Sequence, residues 1–153
     1  MERSGATVLY NSSDPKEAFA LGEQVLLLRD NELLQAGTPL ELYLRPRSIQ
    51  AAHLMSEPGV NPWREADGTL AVRPEQLRLQ RQASSDFEFA VHVLHVEKSG
   101  QETFLHLQHA SGAHWVARLP GLHREIREDH PLSVFAPQSD VMRFAADGNA
   151  PSG

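Results

Sequence analysis

Apolar residues in the first third of the chain come in short bursts broken by caps and turns, whereas beyond about residue 60 they alternate with polar residues at period two. The early pattern predicts short strands and helices of an α/β kind. Thr7-Val8-Leu9-Tyr10 reads as a short apolar strand. Asp14, Pro15 and Glu17 stand as N-cap, first helical residue and capping-box partner of a helix that runs to about Leu21, where Gly22 stops it. Gln24 to Arg29 and Glu32 to Ala36 read as strands joined by Asp30-Asn31, residues that tolerate the positive φ of a two-residue turn. Thr38-Pro39-Leu40-Glu41 repeats the cap and opens a helix through Tyr43, ended by Pro46, and Ser48 caps another through Met55. Pro58-Gly59 and Asn61-Pro62 are turn dipeptides that mark a boundary.

From Val60 to Phe144 the pattern is that of strands. Phe87, Phe89, Val91 and Val93 fall on one face, and Glu102 to His109, His114 to Leu119 and Leu132 to Ala136 follow as strands. Lys98-Ser99-Gly100, Ala110-Ser111-Gly112 and Pro120-Gly121 separate them. About five short strands at this spacing predict a small closed or sandwiched β-domain of the OB kind. The stretch from Ala146 reads as a disordered tail.

Composition narrows the function. The 153 residues carry a formal net charge of -6 and no basic run, which argues against nucleic acid as a partner. Without cysteine the chain has neither a disulfide framework nor a thiolate metal site. No apolar run reaches the ~20 residues that cross a bilayer.

Candidate chemistry is sparse. Val25-Leu26-Leu27-Leu28-Arg29-Asp30 has the outline of a Walker B strand, but Asp30 is better explained as a turn residue, and no G-x-x-x-x-G-K-[ST] loop is present to cradle phosphates. Neither a serine-hydrolase elbow nor a zinc-protease motif occurs. His92, His95, His106, His109 and His114 cluster in or beside the predicted sheet. His92 and His95 are three apart, as are His106 and His109, so strand geometry puts each pair on opposite faces. Structural or exposed imidazoles are the favoured reading, with His95 and His106 on paired strands the one metal arrangement left open. Trp63 and Trp115 read as core or interface aromatics, and the apolar positions of the predicted helices, Leu40, Leu42 and Ile49 among them, as burial against the neighbouring sheet.

These segments, taken in order, resemble the C-terminal part of the ATP-binding subunits of bacterial ABC importers of the maltose, polyol and glycerol type. In that family a strand ends in a switch histidine followed by Asp, then come a helix with Glu-Ala, a strand, a D-G or N-G hairpin, Q-x-G-T-P and a helix ending E-L-Y-x-x-P. Here those places hold Tyr10 to Ser13, Asp14, Glu17-Ala18, Gln24 to Arg29, Asp30-Asn31, Gln35-Ala36-Gly37-Thr38-Pro39 and Glu41-Leu42-Tyr43-Leu44-Arg45-Pro46. The regulatory domain of the family, the TOBE type with an OB-like fold, carries an R-P-E-x-L turn and a G-x-E-T-x-L pattern. They correspond to Arg73-Pro74-Glu75-Gln76-Leu77 and Gly100-Gln101-Glu102-Thr103-Phe104-Leu105. The resemblance therefore implies an α+β chain: an incomplete remnant of the ATPase domain over 1–57, an OB-like TOBE domain over 58–145 and a tail over 146–153. The interval from Asn61 to Arg73 is shorter than the family's, which implies that the first strands of the regulatory domain are reduced or absent.

Two functional expectations follow from the resemblance. Ser13 holds the place of the switch histidine, beside Asp14, and a hydroxyl has no basic nitrogen to orient the attacking water, so the ATP site of a full-length parent is expected to be degenerate there. The chain by itself is expected to serve assembly and regulation without hydrolysing ATP; ATP and magnesium belong to the parent, and no cofactor to this chain. Its implied partners are a second ATPase subunit or a second copy of itself, and the importer's membrane subunits, at the cytoplasmic side of the inner membrane. Apolar faces of Thr7 to Tyr10 and Gln24 to Leu28 left without a larger sheet would favour a dimer. The alternative is a free-standing OB-like module that binds a small anion or metabolite, or a histidine-based metal protein.

Overall fold

In the computed structural model, which describes residues 7–151, helix α1 (Pro15–Leu21) starts where Asp14 accepts a 2.8 Å hydrogen bond from the Lys16 backbone N–H. Glu17 does not complete the capping box. Its carboxylate accepts from the Tyr10 hydroxyl at 3.2 Å and from Ser12 Oγ instead. Thr7 to Tyr10 is not the strand its composition suggested: these residues are exposed and pair with no strand among the described residues. Extended backbone without a neighbour has no ladder to join, whatever its β-propensity.

Strands β1 (Val25–Arg29) and β2 (Glu32–Gly37) form the expected hairpin, with Asp30 at φ 51° and Asn31 at φ 64°, as a type I′ turn requires. Helix α2 (Pro39–Leu44) has a complete capping box, since Thr38 Oγ1 accepts from the Glu41 backbone while Glu41 accepts from that of Thr38. Helix α3 (Ile49–Leu54) is capped by Ser48, whose Oγ accepts from the Ala51 N–H at 3.1 Å. Leu27, Leu42, Ala51 and Met55 pack these pieces into a small core.

The β-domain has seven strands: β3 (Asn61–Glu65), β4 (Gly68–Val72), β5 (Phe87–Ser99), β6 (Glu102–His109), β7 (His114–Pro120), β8 (Pro131–Ala136) and β9 (Met142–Phe144). They form two antiparallel sheets, ordered β3-β4-β9 and β7-β6-β5-β8. The expectation of reduced first strands is therefore corrected, because the short interval after Asn61 folds into the β3-β4 hairpin. Asn61-Pro62, read as a boundary, lies inside β3, and its proline stands second in an edge strand where a missing N–H costs no ladder bond.

Apolar side chains of the two sheets meet in one core. Trp63, Leu70 and Val72 come from the first sheet; Phe89, Val93, Leu107 and Trp115 come from the second. Trp63, Phe89 and Trp115 form an edge-on cluster, with Phe89 4.9 Å from Trp63 and 4.8 Å from Trp115 between ring centres.

Each outer edge strand of the larger sheet has one residue whose backbone groups find partners outside the sheet. On the β7 side, Asn61 is 3% exposed; its amide nitrogen donates to the Val116 carbonyl at 2.8 Å and its amide oxygen accepts from the Val116 N–H at 2.7 Å. The side chain thus stands in for a neighbouring strand, and Trp115 Nε1 adds a bond to the Pro62 carbonyl at 3.1 Å. On the β8 side, Arg78 and Phe135 exchange two backbone bonds of 2.8 Å.

The tail is likewise corrected from disordered to ordered as far as residue 151. Gly148 at φ 83° turns the chain so that its carbonyl accepts from Ile49 N–H at 2.9 Å, while the Ala150 N–H donates to the Arg47 carbonyl at 2.7 Å. The tail therefore returns to the start of α3, a contact with nothing in its own composition to announce it.

Replacing Asn61 by Leu should lower stability by about 2–4 kcal/mol, because both buried backbone groups of Val116 lose their partner; urea unfolding followed by tryptophan fluorescence reads the loss. A second expectation concerns acid. The Asp86 carboxylate accepts from the backbone N–H groups of Gln82 and Ala83 at 2.9 and 3.0 Å, and these bonds hold its pKa below the ordinary aspartate value. A depressed folded pKa contributes stability that is present above the unfolded value of about 3.9 and is lost as pH falls through the folded one. Asp86→Asn should therefore flatten the acid limb of a plot of Tm against pH below about pH 4.

Candidate functional site

Arg73 follows β4 directly and is 2% exposed, yet no carboxylate touches its guanidinium among the described residues. Its donors go to the ends of two helices. One terminal nitrogen donates to the Tyr43 carbonyl at 2.6 Å, at the end of α2. The other reaches the carbonyls of Ala52 and Met55, at 3.4 and 3.3 Å, and Ser56 Oγ, at the end of α3. The last carbonyls of a helix lack intrahelical donors and carry the negative end of its dipole, so a cation there satisfies both needs. The guanidinium also lies 3.7 Å from the centre of the Tyr43 ring, a cation–π contact. Burial lowers the Arg73 pKa, and the Tyr43 and Glu75 groups oppose that shift.

Pro74 and Glu75 complete the node. Pro74 starts a short 3-10 turn and is buried, and Glu75 accepts a 2.7 Å hydrogen bond from the Tyr43 hydroxyl. Burial first, and the bond to Glu75 second, push the Tyr43 phenol up to about 12. The Arg73-Pro74-Glu75 turn thus locks the β-domain onto α2 and α3. Tyr43 and Ser56 belong to this lock; helix periodicity gave no sign of it, because their partner lies far along the chain.

The second motif closes the β5-β6 hairpin and the sheet behind it. Gly100 holds the turn at φ 59°. Glu102 receives two bonds from Arg118 across the β6-β7 ladder, at 2.8 and 2.7 Å. Thr103 is buried; its hydroxyl donates to the Gly121 carbonyl at 2.8 Å and accepts from the His123 N–H at 3.2 Å. Each of these contacts stays inside the β-domain, so Gly100, Glu102 and Thr103 act on its architecture and do not meet Arg73.

Ser13 is exposed in the turn before α1, and Asp14 is engaged as the N-cap. Asp30 sits at the tip of the β1-β2 hairpin, as a turn residue. The histidine face assignment needs one correction. A bulge in β5 between Val93 and His95 puts His92 and His95 on the same outer face and His95 opposite His106. His106 faces outward, while His109 stacks on Trp115 with ring centres 4.3 Å apart.

Comparison with known proteins gives this arrangement a context. Residues 70–144 match the TOBE domain family. Over 97% of its length the chain is 29% identical to the sn-glycerol-3-phosphate import ATP-binding protein of Brucella abortus strain 2308, of which the match covers 48%. It is 30% identical to the xylose/arabinose import ATP-binding protein of Haloferax volcanii over 71% of the chain and 35% of that protein. It is 27% identical to the maltose/maltodextrin import ATP-binding protein of Photobacterium profundum over 95% of the chain and 48% of that protein. The chain spans about half the length of the first and third of these relatives.

Arg73→Met should cost about 2–4 kcal/mol, since helix-end carbonyls lose their donor. Arg73→Lys should recover less than half of that, because a single ammonium cannot fork between the two helix ends; thermal unfolding of the variants compares them. Alkaline titration tests the neighbouring phenol. A raised folded pKa contributes stability that is complete below the unfolded value of about 10 and is lost as pH rises towards 12. Phenolate absorbance should show a step near 12 that disappears in Tyr43→Phe.

Proposed function

We propose that this chain, which carries a TOBE domain and the sequence order of the C-terminal part of ABC importer ATP-binding subunits, serves such a subunit as its assembly and regulatory portion. The observation that carries the reading is the contrast between its two parts. The β-domain packs a core between its two sheets and leaves only Leu94 and Leu122 exposed among its described large apolar residues. The first part instead exposes Val8, Leu9, Tyr10, Leu26, Leu28 and Leu33, with Leu9 93% exposed. Leu26, Leu28 and Leu33 share one face of a lone two-stranded hairpin, and such a hairpin is marginal without further strands or a helix on it. That face is the seat of the nucleotide-binding core of the subunit, and the Arg73 lock transmits its position to the β-domain.

On this reading nucleotide chemistry belongs to the whole subunit, and this portion hydrolyses nothing by itself. The solute on this reading is of the sugar or polyol class, a reading supported by the glycerol-3-phosphate, xylose/arabinose and maltose importer relatives. The partners are a second ATP-binding subunit and the membrane subunits of the importer, reached from the cytoplasmic side. No helix among the described residues is long and apolar enough to cross a membrane. Ser13 makes the subunit's own catalytic site deficient at the switch position, and it works beside a competent second subunit.

Immunoprecipitation from the source cell, with an antibody against this chain, tests the assignment. A species well above 17.0 kDa that brings importer membrane subunits with it is expected; a native 17.0 kDa species that brings none would overturn the reading. The subsidiary expectation on Ser13 is read by ATP turnover. A subunit with Ser13 should be slow alone and gain at least about tenfold with Ser13→His, in keeping with the size of general-base and water-positioning effects. Brisk turnover abolished by Ser13→Ala would count against it.

A further inference from the structure

Three histidines stand in a row across the outer face of the four-stranded sheet: His114 on β7, His106 on β6 and His95 on β5. Their ring centres are 5.3 Å apart between His114 and His106 and 5.8 Å between His106 and His95. The spacing between His106 and His114 is the informative one. Nδ1 of His106 lies 3.2 Å from Nε2 of His114. Two nitrogens bound to a single ion at about 2.0–2.1 Å stand about 3.0–3.4 Å apart, so the pair already has the separation of two ligands.

A carboxylate stands near the other ring nitrogen of His106. Glu97 Oε2 is 3.7 Å from His106 Nε2, on the side of the ring away from His114. A carboxylate there favours the proton on Nε2 and leaves the Nδ1 lone pair for a ligand, the outer-shell arrangement seen behind metal-bound imidazoles. Adjacent paired strands fix both Cα positions, since His106 is paired with Val116 and His114 with Gln108. Ring rotation, with the His114 proton on Nδ1, would aim both lone pairs at one point. His95 is otherwise engaged, because its Nδ1 is 2.6 Å from Glu128 Oε1. Among the described residues no group of three or more His, Cys, Asp or Glu could hold a metal ion. The pair would therefore form an open site, with water in the remaining positions.

We propose that the outer face of this sheet binds one imidazole-preferring divalent transition ion between His106 Nδ1 and His114 Nε2. Two neutral imidazoles suit copper, nickel and zinc, with copper first in the divalent series, and they do not suit magnesium or calcium, which require oxygen ligands. The site is independent of the importer assignment, and its test neither uses ATP nor needs a partner.

Titration calorimetry of the untagged chain with the chlorides of copper(II), nickel(II), zinc and magnesium decides the matter. One copper ion per chain is expected, with zinc weaker and magnesium silent. His106→Gln and His114→Gln should each weaken copper binding by about tenfold or more, because a single imidazole is left. His95→Gln should change it less than about threefold. Both ligand side chains lie on the outer face, so the variants should keep the parent melting temperature in the absence of metal. The absence of saturable copper binding below about 1 mM would overturn the proposal. So would copper binding unchanged in His114→Gln, or binding removed by His95→Gln alone, which would place the ion at His95 and Glu128.

Discussion

The buried guanidinium of Arg73 is the constraint on which the arrangement of the two parts depends. Two short helices end against the β-domain with carbonyls that lack intrahelical donors, and burial removes the water that would otherwise serve them. Arg73 reaches both ends because its fork holds several donors in one plane, with the Tyr43 ring against its face. A cation so placed is neutralised by dipoles and by the nearby Glu75, not by direct contact with a carboxylate. The cost of desolvating it makes the geometry specific, since any shift of α2 or α3 would strand the charge.

From that node the packing divides. Towards the N-terminus, Leu27, Leu42, Ala51 and Met55 make a core too small to cover the hairpin, and its outer leucines stay exposed. Towards the C-terminus, Ala52 turns to Val60, Ala71 and Phe144 and seats α3 on the smaller sheet. The two sheets then close around the Trp63, Phe89 and Trp115 cluster, and the Asn61 amide completes the β7 edge. A part with exposed apolar side chains is thus attached to a part with a core of its own.

Much of this was legible in the chain. The I′ turn at Asp30-Asn31, the capping box of Thr38 and Glu41, and the Ser48 cap are local devices, in which the donor and acceptor are within a few residues of each other. The alternation from Phe87 to Val93 identified the buried face of β5, and both tryptophans were read as core or interface aromatics. Motif order pointed to the TOBE domain before any geometry was known. The misreadings share a different cause. Thr7 to Tyr10 has strand composition and lacks a partner, Asn61-Pro62 has turn composition and lies in a strand, and the residues after Ala146 look unstructured yet bond to the start of α3. His92 and His95 were assigned to opposite faces by strict alternation, which a single bulge reversed.

By itself, then, the sequence determined most of the short-range elements and the β-class of the second domain, because caps, turns and period-two runs act over a few residues, while the resemblance to importer subunits rested on motifs. Tertiary structure alone decided where Arg73 and Asn61 bond and how close His106 and His114 stand. Their partners lie 17 to 30, 55 and 8 positions away. No local pattern encodes such distances. They follow from the way two sheets meet, where one bulge begins and where the tail returns, and those are settled by the free energy of the whole core.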